Sequence, residues 1–540
     1  MAATPVSPGD PVRRGRLLRR ACVLCGPFHC APDDPAAGVR ALIMPDGAAT
    51  TASRMPPMSW PLGVALLVLS ATGIGFIFFF ALAAADGPVW IAPFIPFALL
   101  GGGILVWNPF YGLCFAAFAI GPLGAIQREF FSVTINLPEV IILALVLKEA
   151  FLFVVRGERL SPLLPKASLA AYVGASLVGL ITAAYLGNSF KQALQDWRQY
   201  IEYIVLYLLA LHRVHTPRQV KTILFCFMAG MTLVSLHGML QRFTGIGIAG
   251  NQVISDQVFH GGIRSGSFYG ATPLGGLMVL AVGIAVGLVL ASRSYLAKLI
   301  GTGCVCTCLA AAVFTSTRAS WIAIAFALAW IFFSVRKTKI MIAVTVVIGV
   351  LFSVAFGHLV VQRLGTIEIS HRERSLLQRI NYYTAAWHIF REYPVFGLGW
   401  GCEFSVKAIV KSRGYVPPPP SMRVIRKPLW IESTVHSAYL QILVRTGAIG
   451  LASLLWFLFL WFQSMLRARR LKNLDESVYN LITGMTAALL GYLLHSTFEN
   501  FFQWPVMAQS FWLLLALSTR MAALANEMIE NTSAPDPKEG

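Results

Sequence analysis

Long apolar stretches separated by short polar connections make up most of this 540-residue sequence. A helix needs roughly 20 apolar residues to cross the hydrocarbon layer of a membrane. The stretches that come close to this length are 61–84, 89–107, 109–126, 137–155, 167–186, 193–211, 219–240, 272–291, 296–314, 317–335, 340–357, 437–464, 479–497 and 503–524. The pattern therefore predicts an all-α polytopic membrane protein with about 12–14 transmembrane helices.

One long polar segment, residues 358–436, lies between two late apolar stretches. Its residues 372–391 carry apolar side chains at helical spacing, which predicts an amphipathic helix on the membrane surface. Those side chains are Leu376, Leu377, Ile380, Tyr383, Trp387 and Phe390. The helix is expected to stop at Tyr393-Pro394, before the glycine-rich turn Val395–Gly401. Residues 358–436 are thus where we expect chemistry outside the bilayer.

Composition agrees with the membrane class. Hydrophobic residues are 56% of the chain, charged residues 12%, and the mean hydropathy is +0.68, values outside the range of soluble domains. Residues 1–60 differ, because Pro, Gly, Ala and Arg dominate and no apolar run is long enough for a signal peptide. The predicted regions are a disordered basic cytoplasmic tail (1–60), an N-terminal helix bundle (61–357), an external loop (358–436), C-terminal transmembrane helices (437–525) and a disordered tail (526–540).

Lysine and arginine predict the orientation, since they favour cytoplasmic connections. They occur in every second short connection, namely Lys148/Arg156/Arg159/Lys166, Arg213/Arg218/Lys221, Arg293/Lys298, Arg336/Lys337/Lys339 and Arg467/Arg469/Arg470/Lys472. This alternation places both termini in the cytoplasm and residues 358–436 outside a bacterial inner membrane. Much of the net charge of +19 then comes from the lysines and arginines that set the membrane orientation, and no nucleic-acid partner is expected. Within 358–436, eleven Lys and Arg outnumber five Glu, which runs against the same rule and favours an anionic partner.

Three arginines near the outer ends of predicted helices are candidates for binding such a partner, because an ionisable group at membrane depth needs a polar neighbour or a function. Arg198 has acidic residues close by in sequence, so a local ion pair explains it as well as a substrate contact does. Arg264 lies in the Gly- and Ser-rich stretch 261–276, which suits either close approach to a ligand or a flexible connector. Arg318 opens a helix, where the macrodipole disfavours a cation, so either a bound anion or snorkelling into the head groups accounts for it.

Four motifs, in order along the chain, resemble the O-antigen ligase and O-antigen polymerase family of bacterial membrane enzymes. They are RSGSFYGATPLGG, TSTRASW, REYPVFGLGWG and HSAYLQILVRTGAIGL. The resemblance extends over residues 190–500 and implies a fold like that of the GT-C membrane glycosyltransferases. It also implies transfer of a glycan from polyprenyl diphosphate at the outer face of the membrane, without a metal or other cofactor. The expected partners are that lipid-linked donor, the lipid bilayer, and an acceptor that is either lipid A core or a growing glycan.

Site residues follow from the same resemblance. By position, Arg198, Arg264 and Arg318 match arginines expected to bind the diphosphate, a role that suits the planar, always charged guanidinium. His436 matches a loop histidine that would act as general base. From the residues alone, a histidine capping the next helix beside Ser437 is the preferred explanation.

Two further arginines are secondary candidates. Arg379 would contact the acceptor, and Arg445 either contacts substrate or only packs against neighbouring helices. Ligase, polymerase and protein glycosylation share the donor and differ in the acceptor, which the sequence does not identify. A flippase is a further alternative, although the sequence shows no pair of related halves typical of transporters.

Overall fold

The computed structural model describes residues 108–124, 127–130, 133–156, 166–244, 258–259, 262–263, 265–335, 357, 374–401 and 435–533. Its helices are α1 (Pro109–Leu123), α2 (Leu137–Arg156), α3 (Lys166–Tyr185), α4 (Phe190–Ile201), α5 (Ile204–Arg213), α6 (Pro217–Thr244), α7 (Ala271–Ala291), α8 (Tyr295–Phe314), α9 (Arg318–Ser334), α10 (Arg374–Glu392), α11 (Ala438–Arg469), α12 (Glu476–His495) and α13 (Pro505–Ser533). Two antiparallel hairpins, β1 (Gln127–Phe130) with β2 (Val133–Asn136) and β3 (Val258–Phe259) with β4 (Gly262–Ile263), and a 3-10 turn at Phe501–Gln503 complete these elements.

Several predictions fall outside the described residues. They concern the tail 1–60, the stretches 61–84 and 89–107, nearly all of 340–357, the parts 358–373 and 402–434 of the polar segment, and Arg264.

Local sequence determines where helices begin. The Asp475 carboxylate accepts hydrogen bonds from two backbone N–H groups of the first turn of α12, at 2.9 and 3.2 Å. Ser437 accepts one from the first turn of α11, at 3.5 Å. At the start of α2, Asn136 and Glu139 cap each other's backbone N–H groups, both at 2.9 Å. These are the side chains expected at helix N-termini, because the first N–H groups of a helix have no partner within it.

The apolar pattern located the helices, and the prediction of an all-helical polytopic membrane protein is confirmed. Within the described ranges, seven helices are long and apolar enough to cross a membrane. They are Ala167–Tyr185, Pro217–Thr244, Ala271–Ala291, Tyr295–Phe314, Ala438–Arg469, Glu476–His495 and Pro505–Glu530. The count of about 12–14 spans and the likeness to GT-C enzymes stay predictions.

The structure corrects two element boundaries. The stretch 193–211 forms two helices, α4 and α5, which meet at Glu202-Tyr203. Residues 526–533, predicted to belong to a disordered tail, continue α13. An ion pair between Arg520 and Glu527 at 3.0 Å helps to hold that last part of the helix.

Helix α10 also differs from its prediction in the face that it buries. Its span agrees with the expected 372–391 within two residues. Its buried side chains Tyr382, Ala386 and Ile389 pack against Val444 of α11 and Leu398 of the glycine-rich turn, while Trp387 is 50% exposed. Protein therefore covers the face that carries Tyr382, Ala386 and Ile389, and the position of α10 on the membrane surface stays a prediction.

Small residues allow the central helices to approach closely. A side chain at Gly283 of α7 would overlap Ala488 of α12, and one at Gly287 would overlap Gly484. Close backbone approach through small residues is a common way to pack helices inside a membrane, where apolar burial from water does not drive association. The α7 and α12 pair thereby forms a tightly packed centre of the bundle.

Basic residues from alternate connections gather at one end of the bundle, called here the basic end. Arg293 pairs with Asp475 at 2.9 Å, and Lys221 donates to Ser477 at 2.8 Å. Arg469, at the end of α11, bonds Tyr479 near the start of α12. The opposite end, called the site end, holds the starts of α7, α9, α11 and α13 and the ends of α6, α8 and α12. The described parts of the connections predicted to be external thus share the site end.

Candidate active site

Helix α11 is broken at Gly447, and the glycine-rich turn fills the break. Gly447 has φ +65° and ψ −165°, which interrupts the helical ladder. The Val444 carbonyl accepts instead from the Leu398 N–H at 2.8 Å, and the Arg445 carbonyl accepts from the Gly399 N–H at 3.0 Å. Buried backbone groups need partners, and the turn supplies them here.

Glycine is required on both sides of this contact. Gly397, Gly399 and Gly401 all have positive φ, a conformation that costs little only for glycine. A side chain at Gly399 would overlap the backbone of α3 at Ala183, and one at Gly447 would overlap the Val395 carbonyl. The predicted turn Val395–Gly401 therefore packs closely against the backbones of α3, α4 and α11.

Arg445 is fully buried just before the break. Its Nη2 lies 3.2 Å from Asp196 Oδ2, and its guanidinium lies 5.0 Å from the Tyr200 ring and 5.3 Å from the Trp400 ring. Burying an ion pair costs desolvation. Two cation–π contacts and a hydrogen bond from the Gly401 N–H to Asp196, at 3.0 Å, offset that cost. With a side-chain exposure of 0%, this geometry favours the packing alternative over a contact with the acceptor.

His436 meets a carboxylate that comes from a distant part of the sequence. Its Nδ1 lies 2.9 Å from Glu499 Oε1, and Arg379 of α10 lies 3.7 Å from the other Glu499 oxygen. The His436 side chain is 22% exposed and that of Arg379 is 30% exposed. The imidazole and the guanidinium therefore share one carboxylate and remain reachable from outside the bundle.

Tyr383 holds α10 against this group. Its hydroxyl lies within hydrogen-bonding distance of the His436 and Thr497 carbonyl oxygens, at 3.3 and 3.1 Å. Burial raises the pKa of the Tyr383 phenol, so the hydroxyl stays protonated and able to donate. His436, Glu499, Arg379 and Tyr383 are called the His436 cluster below.

The alternative that His436 caps α11 is not what the structure shows. Ser437 is the N-cap residue, and its side chain accepts from the Leu440 N–H. The His436 ring points to Glu499 instead, and its backbone has φ +50°. The histidine is thus oriented by a carboxylate.

Arg198 is paired within its own helix turn. Its Nη1 lies 2.9 Å from Glu202 Oε2, and the two side chains are 28% and 22% exposed. The neighbouring Tyr203 hydroxyl donates to Glu139 Oε1 at 2.5 Å. The local ion pair inferred from the sequence is present, and partial exposure leaves Arg198 accessible to a ligand.

Arg318 is the first residue of α9, at the same end of the bundle. Residues 265–270, the described part of the Gly- and Ser-rich stretch that precedes α7, lie at this end too. The Ser265 N–H donates to the Phe314 carbonyl at 2.9 Å, and Ser265 Oγ donates to the Gly238 carbonyl at 2.5 Å. The Gly266 N–H donates to the Gln241 side chain at 3.0 Å. Residues 265–270 are therefore bound to the ends of α6 and α8, so this part of the motif is not a loose connector.

No three His, Cys, Asp or Glu side chains within the described ranges could together hold a metal ion. The prediction of metal-independent chemistry is not tested by that observation.

Glu499 and Tyr200 were not singled out from the sequence, and Asp196 was noted only as an acidic neighbour of Arg198. Glu499 lies in HSTFENFFQWP, a short polar run between the last two apolar stretches. A carboxylate in such a connection was a usable signal, because it faces the same end of the bundle as His436. Asp196 and Tyr200 sit on α4, and their partners lie more than 200 residues away in sequence.

Comparison with known proteins bears on the family of this chain. A family model described as O-antigen ligase matches residues 302–455, a segment that includes Arg318, Arg379, His436 and Arg445. A search of curated proteins found no significant match. Residues 302–455, which carry the break in α11 and His436, are therefore similar to the O-antigen ligase family.

Proposed function

We propose that this protein transfers a glycan from polyprenyl diphosphate to a hydroxyl of an acceptor at the outer face of the bacterial inner membrane. The site end of the bundle then faces outward, and both termini are cytoplasmic. The acceptor is lipid A core for a ligase or a growing glycan for a polymerase. The family match supports a role in surface-glycan synthesis and leaves these two acceptors as alternatives.

The observation that carries this proposal is the distance of 2.9 Å between His436 Nδ1 and Glu499 Oε1. A carboxylate at Nδ1 favours the tautomer that carries its proton there, which leaves the lone pair of Nε2 available as a base. The same carboxylate stabilises the imidazolium once a proton has been taken up. A general base of this kind contributes roughly 10²–10⁴-fold to a rate.

In the proposed reaction, the acceptor oxygen attacks the anomeric carbon of the donor. The new carbon–oxygen bond forms as the bond from that carbon to the diphosphate breaks, and the polyprenyl diphosphate leaves with the electron pair. The acceptor proton passes to Nε2 of His436. Arg198, Arg264 and Arg318 would bind the diphosphate oxygens, since arginine can bind phosphate through two parallel hydrogen bonds. Arg379, beside the base, would contact the acceptor.

The test compares His436→Ala and His436→Gln in purified protein with a lipid-linked donor. We expect transfer to fall by roughly 10²–10⁴-fold in both variants, with donor binding unchanged, because glutamine can form hydrogen bonds but cannot take up the proton. His388→Ala, a change at an exposed histidine of α10, is the matched control and should keep full activity. Transfer should also persist in a chelator.

A fully active glutamine variant would contradict the proposed role of His436. If a deletion strain lost all glycan on its lipid A core and retained long lipid-linked chains, the ligase alternative would be supported. A core capped by a single repeat would support the polymerase.

A further inference from the structure

Tyr200 touches three parts of the molecule that are far apart in sequence. Its hydroxyl donates to Asn500 Oδ1 at 2.9 Å. Its ring packs against the Trp400 ring, with centroids 5.0 Å apart, and lies 5.0 Å from the Arg445 guanidinium. Tyr200 is 2% exposed and Asn500 is 1% exposed, so this hydrogen bond is shielded from water.

Tyr200 and Asn500 each lie close in sequence to a residue of the proposed site. On α4, Arg198 precedes Tyr200 by two residues, and it is a proposed diphosphate ligand. In the turn between α12 and α13, Asn500 directly follows Glu499, the carboxylate that holds His436. A rotation of Asn500 would therefore move the adjacent Glu499.

The turn around Glu499 is short, and some of its hydrogen bonds lie within it. Asn500 Nδ2 donates to Gln503 Oε1 at 2.9 Å within the same turn, and the Phe501 N–H donates to the Glu499 carbonyl at 3.2 Å. These bonds shape the turn, but they do not fix its position relative to the helix that carries Arg198. The hydrogen bond from Tyr200 to Asn500 joins the turn to that helix.

We propose that Tyr200 is a positioning residue, which holds the Glu499–His436 pair in register with Arg198 through its hydrogen bond to Asn500. The inference rests on the proposed function, because register matters only if Arg198 binds the donor and His436 takes the acceptor proton. Reacting atoms need to be held about 3–3.5 Å apart for efficient transfer. A small displacement of the base therefore lowers the rate of the chemical step more than the affinity for the donor.

The experiment compares Tyr200→Phe with Tyr439→Phe. Tyr439 is a matched control because its hydroxyl also donates at the site end, to the carbonyl of Leu493 at 2.8 Å, and Leu493 belongs to α12 rather than to the turn that carries Glu499. Losing one buried hydrogen bond costs about 0.5–1.5 kcal/mol, or roughly two- to twelvefold in a rate. We expect Tyr200→Phe to lower kcat within that range while the KM for the donor changes less than twofold. Tyr439→Phe should leave both parameters unchanged at equal amounts of folded protein.

A double-mutant cycle keeps the test informative if one variant is poorly folded. Asn500→Ala should lower kcat by a similar factor, and the Tyr200→Phe, Asn500→Ala double variant should be no slower than the slower single variant. Additive losses would show that Tyr200 acts independently of Asn500, and equal losses in Tyr200→Phe and Tyr439→Phe would show a general effect of a lost hydroxyl; either result would overturn the inference. An unchanged kcat in Tyr200→Phe would overturn the inference.

The result can be separated from a failure of the proposed function. If His436→Ala remained active, the proposed function itself would fail, whatever Tyr200→Phe does. If His436→Ala were inactive and Tyr200→Phe were as fast as the parent protein, only the positioning role would be lost.

Discussion

Among the described residues, four non-glycine residues have a positive φ: Ser267, Ser316, His436 and Asn473. Three of these lie within motifs that carry the family resemblance. Ser267 lies in RSGSFYG, Ser316 comes two residues before Arg318, and His436 opens HSAYLQ. A positive φ costs of order 1–3 kcal/mol for most residues and persists where the surroundings impose it. At the scale of single residues, strain therefore coincides with the proposed site.

Arg318 gives the sharpest test of the proposed diphosphate contacts. Arg318→Lys keeps the positive charge but loses the planar fork, so we expect most transfer activity to vanish while membrane insertion is unchanged. Arg293→Lys is the control, since Arg293 makes an exposed ion pair at the basic end and should tolerate the change. Transfer measured with equal amounts of inserted protein is the readout. A normally active Arg318→Lys variant would make Arg318 a snorkelling residue.

At the scale of elements, α11 and the turn Val395–Gly401 depend on each other. The break at Gly447 leaves backbone groups unpaired, and the turn bonds them from outside. Arg445, beside the break, is held by Asp196 of α4. Because α11 starts next to His436, the angle of its first segment determines where the base lies.

Gly447→Ala should destroy this arrangement. The new methyl group would overlap the Val395 carbonyl, and alanine would adopt the φ of +65° at a cost. We expect a strongly reduced yield of folded protein and a lower thermal unfolding temperature in detergent. Gly303→Ala is the matched control, because a side chain there meets nothing within 4 Å. Equal unfolding temperatures for the two variants would show that the break tolerates a side chain.

On the scale of the whole molecule, charge separates the two ends of the bundle. Lys221, Arg293 and Arg469 lie at the basic end, whereas the His436 cluster lies at the other. Basic connections favour the cytoplasm. The orientation that we propose, with the basic end in the cytoplasm, puts the proposed site on the side on which a lipid-linked glycan would be presented.

Reporter fusions test that orientation. Fusions at Pro418 should report an external location, and fusions at Arg336 and Arg469 a cytoplasmic one. Because the three sites are on the same chain, each serves as a control for the others. A cytoplasmic signal at Pro418 would contradict the site assignment.

The apolar pattern was sufficient to locate most helices, because a segment in lipid must satisfy its backbone bonds internally and present apolar side chains along its whole length. The pattern failed at 193–211, where two helices replace one. The first part of this stretch carries Asp196, Arg198 and Glu202, which make polar contacts at the site end. Of the candidate residues, His436 and Arg379 both lie beside the carboxylate of Glu499, while Arg445 is buried.

The sequence by itself determined the class of protein, the order of its helices and the motifs that carry the site. Only the tertiary structure revealed Glu499 as the partner of His436, 63 residues away, and Tyr200 as the partner of Asn500, 300 residues away. The physical reason is that helix formation in a membrane depends on local composition and spacing. The choice of partners for buried polar side chains depends instead on which helices pack together, and no local pattern records that choice.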